Sequence, residues 1–327
     1  MRSVRFHDYG PPEVLRVDEV PDPAPGQGEL LIRVTGAGIS YSEVQIRSGL
    51  MRQFDWFPDP PMPNAPGFEV AGQVIGVGSE VGDEWIGRTV VGPTATGGGY
   101  SELAVMPAAV ANPVPDGLDS QTALALLSQG VVAVGVAEVA NIRPKDVVLV
   151  TAAAGGVGSL LVQLAKRAGA EVIALESGER KLALAKELGA DHVLDYTEEG
   201  WDAQVREIAS AGVQVAFESS GGEVSRKVFD LLAFGFGRMV VYGTASGAVP
   251  QFDPESLYTR GVTVTGFGPR LFIEPEYGVR LRKEAFDLAL AGELKPVIGQ
   301  VLPLGEAAAA HRAFEERSTV GKAILVP

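Results

Sequence analysis

The chain has no cysteine and only three histidines in 327 residues. The first absence removes disulfides, thiol nucleophiles and thiolate metal ligands together. His7, His192 and His311 lie far apart and form no ligand-spaced pair, so a zinc site is not expected and no metal ligand is assigned. No run of about 18 apolar residues suggests a membrane span, and the opening MRSVRFHDYG lacks the apolar core of a signal peptide. The expected compartment is the cytoplasm. Internal periods and low-complexity tracts are also missing. Positive charge is scarce, with 27 Lys and Arg against 41 Asp and Glu and a net charge of −14. That balance disfavours nucleic acid and anionic membranes as partners. An anionic ligand would need a local positive device.

The chain is long enough for about two domains, and 46% hydrophobic residues suffice for full cores. The first part reads as β-rich, with strands at ELLIRV (29–34), VAGQVIGV (70–77) and RTVV (88–91). The Pro- and aromatic-rich stretch 51–66 excludes a helix or central strand and predicts an irregular loop. Phe54, Trp56 and Phe57 in it could wall a pocket or cover a core. From about residue 120 the texture changes. Helices are expected over 121–139, then short apolar strands (DVVLV, EVIAL, HVLDY, VQVAFES, RMVVYG) alternate with helical segments of about ten residues. Such alternation predicts a doubly wound parallel sheet. Further on come a strand at VTVTGF, helices near 281–291 and 306–317, and a final strand KAILV.

The sharpest local signal is VVLV leading into Thr151-Ala152-Ala153-Ala154-Gly155-Gly156-Val157-Gly158. Against G-x-G-x-x-G the key positions are Ala153, Gly155 and Gly158, with alanine replacing the first glycine. The segment follows a strand, opens a helix and sits in a βαβ unit, the context in which the pattern marks a dinucleotide site. Main-chain amides and the helix N-terminus would then hold a pyrophosphate. Eighteen residues past Gly158 stands Glu176, which could bond the ribose hydroxyls and favour NAD over a 2′-phosphate. Ser177, Arg180 and Lys181 follow at once and could hold that phosphate. Residues 176–181 alone leave the coenzyme preference open.

Several motifs in order resemble the zinc-free quinone oxidoreductase branch of the medium-chain dehydrogenase/reductase superfamily. They are Pro66-Gly67-Phe68-Glu69 with Gly72, Gly98-Gly99-Tyr100-Ser101-Glu102, Gln129-Gly130, AAAGGVG, LAKELGADHVLDY and HRAFEERSTVGKAIL. The resemblance implies an α/β fold, a Rossmann doubly wound parallel sheet plus a distorted, GroES-like β-barrel catalytic domain. The catalytic domain would comprise 1–122 and 262–327, and the dinucleotide-binding domain 123–261. It implies a homodimer joined edge to edge, with the strand at 262–265 as a plausible edge. It places Gly155, Gly156 and Val157 under the pyrophosphate and Ser177, Lys181 and Tyr196 at a 2′-phosphate. Tyr242, Gly243 and Thr244 would pass the nicotinamide, with Phe267 and Lys322 near it. Lys181 with Tyr196 points to NADPH, and Glu176 keeps NADH possible.

Departures gather at the reacting end. The branch's V-N-x-x-D-x-x-x-R-x-G reads here Ile39-Ser40-Tyr41-Ser42-Glu43-Val44-Gln45-Ile46-Arg47-Ser48-Gly49. The position of a tyrosine proton donor in related enoyl reductases is Met51, and the threonine after Gln-Gly-x is Val132. The implied reaction is hydride transfer to a quinone or an α,β-unsaturated carbonyl compound, whose oxygen then needs a hydrogen-bond donor. Tyr41 is the preferred candidate, with Ser40 and Gln45 next. Glu43 is expected to pair with Arg47 four residues on, Glu69 to be structural, and His311 to lie on the surface. Two alternatives stay open: a dedicated enoyl or quinone reductase of a secondary pathway, and a catalytically idle NADPH-binding protein.

Overall fold

The computed structural model describes every residue except Trp56, Pro58, Ala95, Pro269, Arg270 and Phe272. Two compact units emerge, Met1–Leu127 with Val297–Pro327, and Ser128–Pro296. The first opens with an antiparallel pair, β1 (Arg2–Arg5) and β2 (Arg16–Glu19). The long β3 (Glu29–Ile39) follows, then α1 (Tyr41–Ser48), β4 (Glu69–Val77), β5 (Thr89–Pro93), β6 (Leu103–Pro107), the two-residue β7 (Asn112–Pro113) and α2 (Ser120–Leu127). After a 3-10 turn at Leu50–Gln53, the described residues of the Pro-rich stretch form no α-helix or extended strand, as expected. Met51 and Phe57 pack against this unit's core, which is the covering role for Phe57; Trp56 lies outside the described residues.

The second unit begins with α3 (Gln129–Ala140). Strands and helices then alternate: β8 (Val147–Thr151), α4 (Gly158–Arg167), β9 (Glu171–Glu176), α5 (Glu179–Glu187), β10 (His192–Asp195), α6 (Trp201–Ile208), β11 (Val215–Glu218), α7 (Gly222–Asp230), β12 (Arg238–Val241), α8 (Glu255–Thr259), β13 (Thr263–Gly266) and α9 (Pro275–Leu290). The six strands form one parallel sheet in the order β10-β9-β8-β11-β12-β13. The strands are near-continuous apolar runs because helices cover such a sheet on both faces. Leu149, Ile173, Leu175, Ala216 and Met239 join Trp201, Val205, Val228 and Phe229 in one buried cluster. Strand order reverses between β8 and β11, and ligands of such sheets bind beyond the carboxyl ends of the strands at that reversal.

The chain then returns to the first unit with β14 (Ile298–Pro303), α10 (Ala307–Glu315) and β15 (Lys322–Val326). Its main sheet has seven strands, with β14-β15-β3-β4-β5-β7 in order and β6 also on β3. β3 can serve three neighbours because β15 takes Ala37–Ile39, β6 takes Glu29–Arg33, and β4 lies along the other side. The expected division at residue 262 needs correcting. Thr263–Gly266 pairs in parallel with β12, and α9 packs on α3, so the second unit runs on to Pro296. A strand-by-strand reading misses this because VTVTGF looks alike as an edge of either sheet.

Candidate functional site

At the end of β8 the chain turns sharply. Ala152 adopts φ 49°, and the Gly155 N–H closes on the Ala152 carbonyl at 2.9 Å. Helix α4 starts at Gly158, where a Cβ would sit 2.0 Å from the Ala152 oxygen. Only glycine lets the helix lie this close to the strand. Gly155 and Gly156 carry no side chain to cover the turn, and Gly156 and Val157 stand just ahead of the first helical turn. The Val157 N–H belongs to the donors that a helix start leaves without intrahelical acceptors, and both residues stand at the positive end of its dipole. A diphosphate fits such a cradle without a cationic side chain.

Glu176 ends β9 as expected, but its carboxylate turns inward. It is 4% exposed; Oε1 accepts the Ala154 N–H at 2.9 Å and Oε2 the Ser177 N–H at 3.1 Å. The acid therefore braces the glycine turn from behind. Lys181, on the first turn of α5, places Nζ 3.5 Å from Glu176 Oε2. Ser177 is half-buried in the β9–α5 loop, and Tyr196, just past β10, donates its N–H to the Glu176 carbonyl at 3.0 Å. Asp195 beside it is engaged too, accepting from Gly178 N at 2.9 Å and from Thr197 N and Oγ1. Burial raises the Asp195 carboxyl, but those donors outweigh it and hold it below its usual value. Arg180 is exposed.

On the far side of the reversal, two loops are hydrogen-bonded together. Ser219 O and Ser220 O accept from Ala245 N and Ser246 N, each at 2.8 Å. The loops touch so closely that a Cβ on Gly221 would meet the Ala248 oxygen at 2.0 Å. Glu218, the last residue of β11, is fully buried, with Oε1 accepting from Ser220 N at 2.5 Å and Gly221 N at 2.7 Å. Its Oε2 has no hydrogen-bond partner among the described residues. Burial pushes this carboxyl up to about 7 against the pull of Gly221, Ser220 and Thr151. Tyr242 starts the second loop and donates its N–H to the Glu218 carbonyl at 2.9 Å. Burial raises its hydroxyl, with Ser219 opposing and Glu218 and Glu176 adding. Gly243 and Thr244 follow in the same loop. Phe267 packs against Gly135 of α3, where a Cβ would meet its ring at 2.3 Å. Sequence reasoning missed Glu218, although an acid closing a buried strand before Ser-Ser-Gly-Gly was the available signal.

The first unit gathers a separate polar cluster at the start of α1. Glu43 Oε1 accepts from Gly67 N at 2.9 Å and Phe68 N at 3.0 Å. Its Oε2 accepts from Ser40 N at 2.7 Å, Ser40 Oγ at 3.1 Å and Tyr100 Oη at 3.1 Å. Burial still raises the carboxyl, with the Ser40 bond and Lys322 opposing and Glu69 adding. The expected Glu43–Arg47 pair is not formed. Arg47 is fully buried and donates to the Gly10 carbonyl and the Glu315 carboxylate, a partner on α10 that helical spacing cannot show. His311 is likewise not on the surface. It is fully buried with Nε2 at 3.3 Å from Tyr100 Oη, and burial with Arg47 nearby lowers it to about 3. Ala307, Ala310, His311 and Phe314 recur at helical spacing on one face, the signal that was available.

Lys322 is also buried, with Nζ donating to the Glu69 carboxylate and, at 3.0 Å, to the Ile39 carbonyl. Gly38 makes room for this pair, since a Cβ there would lie 2.4 Å from Glu69 Oε1. Of the candidate donors, Ser40 caps α1 and spends its N–H on Glu43 and its hydroxyl on Glu43 and Ser42. Gln45 is half-buried. Tyr41, the first helical residue, is half-buried; burial raises its hydroxyl, with Arg317 opposing and Glu315 adding. Among the described residues no group of three or more Asp, Glu or His side chains could hold a metal ion. None of the described helices is by itself long and apolar enough to cross a membrane.

Two protein families match the chain, the zinc-binding dehydrogenases over residues 156–271 and the alcohol dehydrogenase GroES-like domain over 26–116. The chain is 31% identical to a quinone oxidoreductase of Pseudomonas aeruginosa, over all of this chain and 99% of the relative. A crystal structure of Escherichia coli quinone oxidoreductase complexed with NADPH superposes with TM-score 0.90 at 31% identity, covering both chains fully. A mycobacterial protein complexed with NADPH gives 0.88 at 34% identity, again over both full chains. Turn, sheet order and likeness along the whole length agree: the chain is an oxidoreductase that belongs to the quinone oxidoreductase branch of the medium-chain dehydrogenase/reductase superfamily.

Proposed function

We propose that the protein is an NADPH-dependent reductase that transfers hydride, without zinc, to a quinone or an α,β-unsaturated carbonyl compound. The observation that carries the coenzyme choice is the inward turn of Glu176. An acid facing the ribose would repel a 2′-phosphate, but this carboxylate is buried on Ala154 N and Ser177 N. Lys181 sits beside it, and Ser177 and Tyr196 border the same strand ends. The coenzymes of the two superposed relatives point the same way. Gly155, Gly156 and Val157 would hold the pyrophosphate, and Tyr242, Gly243 and Thr244 would line the nicotinamide end.

Bound NADPH would supply the hydride. The chain's own task is then to answer the negative charge on the substrate oxygen. Tyr41 is the donor best suited to it. Burial raises its hydroxyl, which, unlike that of Ser40, is not committed to Glu43. The missing metal role is read from the donor inventory: no cysteine, and a His311 locked against Tyr100. A small-molecule substrate, a homodimer joined through the β13 edge, and a cytoplasmic location complete the reading.

The decisive measurement is the dissociation constant for NADPH and NADH, in wild type and Lys181→Ala. Lys181→Ala should weaken NADPH about tenfold while leaving NADH nearly unchanged, the worth of one charge-assisted contact. Equal losses for both coenzymes would overturn the coenzyme assignment. NADPH oxidation with a panel of quinones and enones tests the reaction; tight NADPH binding with no acceptor reduced would leave a binding protein.

A further inference from the structure

We infer that Glu218 is a positioning residue for the coenzyme, fixing loop 219–222 and through it loop 242–247, while touching neither coenzyme nor substrate itself. The inference rests on the coenzyme reading above. The geometry runs in three steps. Oε1 gathers the N–H groups of Ser220 and Gly221, the residues that lead into α7. Those bonds orient the Ser219 and Ser220 carbonyls, which hold Ala245 N and Ser246 N. The second loop is thereby fixed at Tyr242-Gly243-Thr244, whose first residue also bonds the Glu218 carbonyl. From the other side Thr151, at the end of β8, accepts Ser219 N at 3.0 Å and donates to the Phe217 carbonyl at 3.2 Å. The Glu218 carboxyl and the Thr151 hydroxyl thus hold the 219–222 loop from the two sides of the reversal.

Two further features fit a positioning role better than a purely structural one. Simple filling of the interior would not call for an acid with one oxygen unpartnered. The carboxyl also titrates near neutrality, with Tyr242 as its ionisable neighbour, whose hydroxyl Glu176 also raises. An anion binding close by favours the protonated form, so coenzyme affinity and the Glu218 proton are linked.

The test uses the full chain as wild type, Glu218→Gln and Glu218→Ala. Fluorescence titration gives the NADPH dissociation constant from pH 6 to 8, and hydrogen exchange on the coenzyme-free proteins reports the amides of Ala245 and Ser246. Glutamine keeps an oxygen for Ser220 and Gly221, so it should bind NADPH within about threefold of wild type at pH 6, whereas alanine should lose about tenfold or more. Wild-type affinity should fall as pH rises through about 7 relative to the glutamine variant, which has no proton to lose there. Ala245 and Ser246 should exchange faster in Glu218→Ala and unchanged in Glu218→Gln. Wild-type affinity and exchange in Glu218→Ala would overturn the inference, as would equal pH profiles for wild type and Glu218→Gln. A wild type that binds no NADPH at all overturns the functional reading instead, and the exchange result still decides whether Glu218 holds the loops.

Discussion

Glu43 in the first unit and Glu218 in the second are both buried carboxyl groups, yet their oxygens are treated differently. Glu43 faces donors on both oxygens, two main-chain amides on one and Ser40 and Tyr100 on the other. Glu218 has two amides on one oxygen, while the other has no hydrogen-bond partner among the described residues. Burial raises both groups. What separates them is satisfaction: the first is an acceptor hub that cannot be replaced, the second an acceptor with one oxygen to spare. Depth alone, therefore, does not say what a buried acid is for.

A third acid sharpens the contrast with the largest expected effect. Glu69 is answered by a full cation, Lys322, so Lys322→Met should take the counter-ion from a buried carboxylate. The expected loss is about 3–5 kcal/mol in urea unfolding, and a Glu69→Leu/Lys322→Met double variant should recover part of it. A loss below about 1 kcal/mol in the single variant would show that the pair contributes little.

The next test applies one substitution to both acids. Glu43→Gln turns an amide NH₂ towards Ser40 and Tyr100, or towards Gly67 and Phe68, setting donor against donor. It should cost about 2–3 kcal/mol, while Glu218→Gln, whose NH₂ can take the empty side, should cost under about 1 kcal/mol at pH 6. Equal costs would break the comparison.

The last effect is a slope, modest per pH unit. Glu218 has a folded-state value of about 7 against an ordinary 4.5, so the folded state holds its proton longer than the unfolded one. Its contribution is full below pH 4.5 and is lost as pH rises through about 7. Relative to Glu218→Gln, wild type should lose stability over that window, approaching about 1.4 kcal/mol per pH unit at the steepest. Parallel urea-derived stability curves from pH 5 to 8 would place the carboxyl in a more polar setting than the structure gives it.

How far the sequence reveals these features follows from their range. The turn at 151–158 was legible because strand, glycines and helix are contiguous, and the doubly wound parallel sheet followed from the alternation of short apolar runs with helices, though not its strand order. Glu176 was found by its spacing, but the direction of its carboxylate depends on Ala154, 22 residues away. Arg47 with Glu315 and Tyr100 with His311 were illegible because their partners lie 268 and 211 residues apart. Local pattern fixes elements; only packing pairs their polar groups.

The place of β15 bears on how the polypeptide is made. β3 finds its partner along Ala37–Ile39 in a strand made much later, with Ile39 and Lys322 separated by 283 residues. At translation rates of about 5–20 residues per second, β3 waits roughly 15–60 s for this neighbour. All of Ser128–Pro296 emerges in the interval, so the nucleotide-fold half can finish while the half begun first still has an open seam, with Glu69 lacking its counter-ion.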